Sequence, residues 1–314
     1  MTEASSTAET IAVTLIAGYL GAGKTTWLNA HLRDGVAPGT LLLVNDFGAI
    51  NVDAELIDYK GDRLLKLSSG CLCCSLSDEL GTQLSRIARW PEPPSHVLIE
   101  TSGVARPTRI ADLIRVARQY HLARIVTLVD LASLATRLAD RRVGDLVAAQ
   151  ITAANELFCN RGDALDDSAQ RQLQERLAAL NPDASRFWTA PFNPDREAGT
   201  TRDDRQISTP QPPARPVYRP AEQDPAWQRF AITLPATLQR QELDALLTAH
   251  ADGLARAKGF LQADGRHYVF QWSGDKADWT PSTPRPGSGQ LVGIGFAGAT
   301  YEALIAALEA LSTR

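Results

Sequence analysis

The residues with the clearest chemical meaning are Gly18-Tyr-Leu-Gly-Ala-Gly23-Lys24-Thr25, which match the spacing G-x-x-x-x-G-K-[ST]. They follow an apolar run, Ile11–Ala17, and open a helix-like segment, Thr26–Arg33. In a strand, glycine turn, helix order the glycines let backbone N–H groups converge on phosphate oxygens, and the helix N-terminus adds positive dipole. Gly18, Gly21, Ala22, Gly23, Lys24, Thr25 and Thr26 are therefore the candidate phosphate-binding residues. Lys24 is placed to reach the β- and γ-phosphates and Thr25 to hold Mg²⁺.

Three further clusters sit where apolar runs end. Thr40–Asn45 leads into Asn45-Asp46-Phe47-Gly48 and on to Asp53, acids at the carboxyl end of a predicted buried strand. Val97-Leu-Ile-Glu100 leads into Thr101-Ser102-Gly103, an acid three residues before a glycine. That resembles the D-x-x-G arrangement of GTPases, in which the acid holds Mg²⁺ or its water and the glycine N–H meets the γ-phosphate. Leu157-Phe-Cys-Asn160 leads into Arg161-Gly162-Asp163, with the spacing of the guanine-reading N-K-x-D element. A carboxylate at Asp163 can accept from both N1–H and the exocyclic amine of guanine, a donor pair adenine lacks. Arg161 stands where lysine is usual, and its planar cation suits the face of a base.

The chain has four cysteines, three of them in Cys71-Leu-Cys73-Cys74, between a short predicted strand, Leu64–Leu67, and a predicted helix to about Trp90. Thiolates at i, i+2 and i+3 converge in such a turn, and a helix N-terminus lowers their pKa. Three soft ligands suit Zn²⁺, Co²⁺ or Cu⁺. Only Cys159 lies elsewhere, so there is no disulfide framework of the secreted type. The five histidines are scattered, and none pairs in sequence with the cysteines.

These clusters need a scaffold that brings several strand ends together. Repeating strand and helix patterns over residues 1–190 predict an α/β P-loop domain with a mostly parallel, helix-covered sheet. Helices are predicted from Pro107 to about Tyr120, after Asp130 through Gln150, and over Asp166–Leu180, and strands over Ile125–Asp130 and Ser185–Thr189. Residues 191–225 carry eight prolines and no periodicity, the signature of a linker. Residues 226–314 predict a small α+β domain: strand Trp227–Leu234, helix Arg240–His250, strands Leu254–Gln262, His267–Trp272 and Gln290–Phe296, and helix Thr300–Leu311. Pro281–Gly289 is expected to be its long loop.

At 314 residues the chain exceeds what one core usually supports, and 44% apolar with 22% charged residues is an ordinary globular composition. A net charge of −4 gives no broad basic field for nucleic acid or an anionic membrane. The N-terminal ten residues lack a basic n-region, and the apolar run after them is too short to span a bilayer. A cytoplasmic protein with neither signal peptide nor membrane span is the expectation.

Taken in order, GYLGAGKTT, VNDFGAINVD, SSGCLCC, ETSGVARP, VTLVD and NRGD resemble the CobW-type P-loop GTPases, a family of metal chaperones and metallocofactor insertion factors. Arg256-Ala-Lys258-Gly259-Phe260 and the strand Leu291–Phe296 look like that family's C-terminal domain. The resemblance implies GTP with Mg²⁺ as nucleotide and cofactor, and slow GTP hydrolysis to GDP and phosphate without a partner. It implies Cys71, Cys73 and Cys74 as ligands for Zn²⁺ or Co²⁺, and Thr25 with Glu100 as the Mg²⁺ environment, so that Lys24, Thr25 and Glu100 form the catalytic set. Gly103 joins the phosphate site, and Asn160, Arg161 and Asp163 form the guanine site. The implied partner is a client metalloprotein or a cofactor-biosynthesis protein. The chain departs from the family's N-E-F-G-E segment at Asp46 and Ala49, and its linker lacks histidines. Two other readings stay open: a P-loop small-molecule kinase, and a redox-responsive module in which Cys71 pairs with Cys74.

Overall fold

The computed structural model describes residues 10–46, 64–68, 75–188, 226–274, 276–285 and 288–313. The Cys71, Cys73, Cys74 turn, Asp53 and the segment around Ala49, and the 191–225 segment lie outside the described residues.

Seven strands form one parallel sheet in the order β3-β2-β4-β1-β5-β6-β7. They are β1 Ile11–Ala17, β2 Thr40–Asp46, β3 Leu64–Ser68, β4 His96–Glu100, β5 Tyr120–Asp130, β6 Glu156–Asn160 and β7 Ser185–Trp188. The central strands are almost continuous runs of β-branched and leucine residues because both faces are covered. Val13, Leu15, Ala17, Leu41, Leu43, Val97 and Ile99 face one apolar cluster, and Ile16, Leu42, Val44, Leu98, Val126 and Leu128 face the other. The strands alternate with helices α1 Lys24–Arg33, α2 Ser75–Ile87, α3 Pro107–Val116, α4 Leu131–Ala139, α5 Gly144–Thr152 and α6 Asp167–Leu180. β1 lies between β4 and β5, so the residues following these three strands emerge side by side at the carboxyl end of the sheet.

The structure differs from the sequence expectation in four places. Helix α3 stops at Val116, and β5 begins at Tyr120, five residues earlier than its apolar run suggests. The first half of β5 carries exposed His121 and half-buried Arg124, which hides it from a search for apolar runs. The single helix expected after Asp130 is two, separated by Asp140–Val143, where the Asp140 carboxylate accepts from the Arg142 backbone N–H at 2.8 Å and supports a turn. Finally, the C-terminal sheet has an additional edge strand, Lys276–Pro281, running into the expected loop.

That second sheet is antiparallel, in the order β11-β10-β9-β12-β8. Its strands are β8 Trp227–Thr233, β9 Leu254–Ala263, β10 Arg266–Ser273, β11 Lys276–Pro281 and β12 Gln290–Phe296, with helices α7 Arg240–Ala249 and α8 Ala299–Ser312. Pro281 ends the edge strand β11, where a missing ladder donor is tolerated, and Trp279 secures it by packing on Tyr268 and Phe270. Side chains alternate across β9. Ala257, Leu261 and Ala263 join α7 and α8 in one apolar core, whereas Arg256 and Lys258 belong to the opposite face. Register places Ser273 opposite Arg256 and Gln271 opposite Lys258, so these two share that opposite face.

No described helix is long and apolar enough to cross a membrane.

Candidate nucleotide site

The glycine loop between β1 and α1 takes its shape from its sequence. Gly18, Gly21 and Gly23 have φ of 137°, 80° and 90°, values that side-chain-bearing residues rarely adopt. Gly23 is the N-cap of α1, where no side chain caps the helix and no acid occupies the first turn. The N–H groups and positive end of α1 are thus offered to an external anion. Lys24 Nζ donates to Gly18 O at 2.9 Å and Tyr19 O at 3.5 Å, which arches its side chain back over the loop. Thr26 is exposed and Ala22 is buried.

The acid at the end of β4 meets this loop. Thr25 Oγ1 donates to Glu100 Oε1 at 3.3 Å, and Glu100 is only 2% exposed. Parallel pairing of β1 with β4 sets Ile16 against Glu100, and this register brings the carboxylate level with the loop. The next residues run beneath the loop. Thr101 donates through both its N–H and its hydroxyl to Ile16 O, at 2.9 and 3.1 Å. A Cβ at Gly103 would fall 2.8 Å from Leu20 N, so only glycine permits this approach of the two backbones. Gln150, buried on α5, donates to Gly103 O and Ala105 O at 3.1 and 2.9 Å, fixing the segment from below.

The end of β6 closes the other side. Asn160 Nδ2 donates to Ala22 O at 2.8 Å, joining the strand to the phosphate loop. Arg161 then adopts the left-handed conformation, with φ 55° and ψ 29°, uncommon for a residue with a side chain. The chain turns there into a single 3-10 turn, Gly162–Ala164, on which Asp163 is exposed. Gln170 holds this turn by donating to Gly162 O at 2.8 Å. The Arg161 guanidinium pairs with Asp130 Oδ2 at 2.7 Å, and Asp130 also caps α4 by accepting from Ala132 N. Arg161 is therefore drawn toward the start of α4.

The described residues contain no group of three or more His, Cys, Asp or Glu suited to a metal ion. The remaining cysteine, Cys159, is buried on β6, and burial pushes its thiol up to about 12. His96 hydrogen-bonds Thr14 across the sheet, and burial together with Arg124 lowers its pKa.

Sequence reasoning missed the contact between the loop and the C-terminal sheet. Tyr19 and Leu20 share a buried apolar cluster with Ala255 and Ile294, against which Trp227 and Phe296 also pack. Burial raises the Tyr19 phenol to about 12. Arg142, in the α4–α5 connection, donates to Asp252 O at 2.8 Å, and its guanidinium lies 4.2 Å from the Phe296 ring centroid. Asp140 orients Arg142 through paired contacts of 3.2 and 3.0 Å, which hold the Asp140 carboxyl below its usual range. The sequence signal was faint: Tyr19 and Leu20 are bulky apolar residues in a loop otherwise made of small ones.

The sequence model of the CobW/HypB/UreG nucleotide-binding domain matches residues 12–187. The chain belongs to this family. A second model, the cobalamin synthesis protein CobW C-terminal domain, matches residues 227–312. Among curated proteins, the zinc chaperone CobW of a Sinorhizobium species is 27% identical over 207 residues, covering 57% of this chain and 58% of that protein. The zinc chaperone YjiA of Escherichia coli is 27% identical over 290 residues, covering 86% of this chain and 88% of that protein. A zinc-regulated GTPase metalloprotein activator 1 of Saccharomyces cerevisiae is 28% identical over 206 residues, covering 57% and 48%. The chain thus spans about half to nine-tenths of the length of these relatives.

Proposed function

We propose that the protein is a GTP-hydrolysing metallochaperone that binds Zn²⁺ or Co²⁺ through Cys71, Cys73 and Cys74 and delivers it to a client metalloprotein or cofactor-biosynthesis protein. The observation that carries the nucleotide half is the 3.3 Å contact between Thr25 and Glu100 beside the uncapped N-terminus of α1. Two hard oxygen donors, one from the first turn of α1 and one from the end of β4, fit Mg²⁺. When bound there, Mg²⁺ would supply charge neutralisation to the β- and γ-phosphates.

The chain's own groups would do the rest. Loop N–H groups bind and orient the phosphates, and Lys24 exchanges its two carbonyl partners for phosphate oxygens, a stronger charge-assisted contact. Gly103 brings a backbone N–H next to the loop, where a γ-phosphate would be sensed. Asp163 would read guanine, and Asn160 would hold the reading segment in register with the loop. The metal half rests on the cysteine spacing and on relatives named as zinc chaperones.

The direct test is hydrolysis of GTP with Mg²⁺ by the full chain, alongside Lys24→Ala. The expected result is slow turnover, since isolated GTPases are intrinsically sluggish, and its loss in the variant. Undiminished hydrolysis by Lys24→Ala would place the active site elsewhere.

A further inference from the structure

The C-terminal sheet reaches the phosphate loop with a cation. A Cβ at Gly21 would lie 2.7 Å from Ser273 Oγ and 3.2 Å from Arg256 Nη1, so the paired residues of β10 and β9 touch the loop at its middle glycine. The Arg256 guanidinium is not loosely placed. Its Nη2 donates to Gln271 Oε1 at 2.8 Å, and the side chain is half-buried on the face of the sheet turned away from α7 and α8. This orientation leaves Nη1 on the Gly21 side.

We propose that Arg256 is a nucleotide-binding residue supplied in cis by the C-terminal sheet, donating from Nη1 to a phosphate oxygen of the nucleoside di- or triphosphate held by the loop. The proposal rests on the nucleotide reading above and extends it to a residue outside the matched nucleotide-binding domain. Three features support it. Guanidinium groups suit phosphate oxygens through charge and a planar fork of donors. Gly21 has no side chain to separate the loop from Arg256. The guanidinium is also pre-oriented by Gln271, so little rotamer freedom remains to be lost on binding. The two sheets then meet through the ligand as well as through the Tyr19, Leu20, Ala255 and Ile294 seam, and nucleotide would tighten their contact.

The test is equilibrium binding of GDP and of a non-hydrolysable GTP analogue, each with Mg²⁺, to the full chain and to Arg256→Gln, Arg256→Lys and Lys24→Ala. Arg256→Gln should bind both nucleotides about tenfold more weakly, the usual effect of losing one charged hydrogen bond. Arg256→Lys should recover part of that loss. The deficit of Arg256→Gln should narrow as salt rises, because the missing interaction is one that salt screens. A side chain that merely packs the two sheets together would give a deficit that neither lysine nor salt changes, and that result would overturn the proposal. Equal affinities of wild type and Arg256→Gln, with Lys24→Ala impaired, would overturn it alone. A wild-type chain that binds neither nucleotide would overturn the nucleotide reading and this proposal together.

Discussion

Asn160 provides the sharpest test of how the end of β6 is held to the phosphate loop. Its amide donates to Ala22 O at 2.8 Å across 138 residues of sequence, and Ala22 is 3% exposed. Replacing Asn160 with alanine leaves a buried carbonyl without this donor, at a cost of about 1–3 kcal/mol. One offset exists: Asn160 Oδ1 is itself buried without a hydrogen-bond partner among the described residues, and alanine removes it. The net loss should therefore lie near the lower end, about 1–2 kcal/mol, or a few degrees in melting temperature for a chain of this size. Asn160→Asp should be worse at neutral pH, because a carboxylate oxygen replaces the donor and faces the Ala22 carbonyl. Its deficit should shrink on acidification, since the protonated acid can donate. The folded form then binds the proton more tightly than the unfolded chain, and stability relative to the parent rises as pH falls. Thermal denaturation at neutral and acidic pH measures all three proteins. Asn160→Asp equal to or more stable than Asn160→Ala at neutral pH would refute the assigned donor direction.

Two other predictions concern residues at the same end of the sheet. Asp163→Ala should weaken GTP binding about tenfold to a hundredfold and leave ATP binding, weak from the start, unchanged; equal affinity of the parent for GTP and ATP would contradict the base assignment. In a chain carrying Cys71→Ser, Cys73→Ser and Cys74→Ser, Cys159 should resist thiol reagents in the folded state and react fully after unfolding. Burial that raises its pKa from 9.0 to about 12 keeps it protonated, so the folded state should also lose stability as pH rises from 9.0 toward that value. Rapid native labelling at neutral pH would show that β6 opens readily.

The parallel sheet was legible because its strands are buried on both faces and read as unbroken apolar runs, as in Leu41–Val44 and Val97–Ile99. The position of Glu100 was legible for the same reason: a run that stops at an acid marks a strand end. Strands whose exposed stretches carry polar side chains were less clear, so the start of β5 at Tyr120 and the edge strand holding Trp279 escaped notice. The contact of Arg256 with Gly21 depends on how two sheets pack, and no local pattern encodes a pairing across 235 residues. The pairing of Arg161 with Asp130, at the starts of two segments 31 residues apart, likewise follows from the adjacency of β5 and β6 and not from any local pattern.

A metallochaperone that uses GTP hydrolysis to deliver its metal, as proposed above, requires nucleotide state and metal binding to be coupled, and this is tested by titrating Zn²⁺ and Co²⁺ against a competing chelator. The full chain is measured with Mg²⁺ and either GDP or a non-hydrolysable GTP analogue, with Cys73→Ser as the control. A coupling of about 1–3 kcal/mol predicts metal affinity roughly 5- to 150-fold higher with the triphosphate analogue, lost in Cys73→Ser, and the same factor in nucleotide affinity when metal is added. Equal metal affinities in the two nucleotide states would contradict the account.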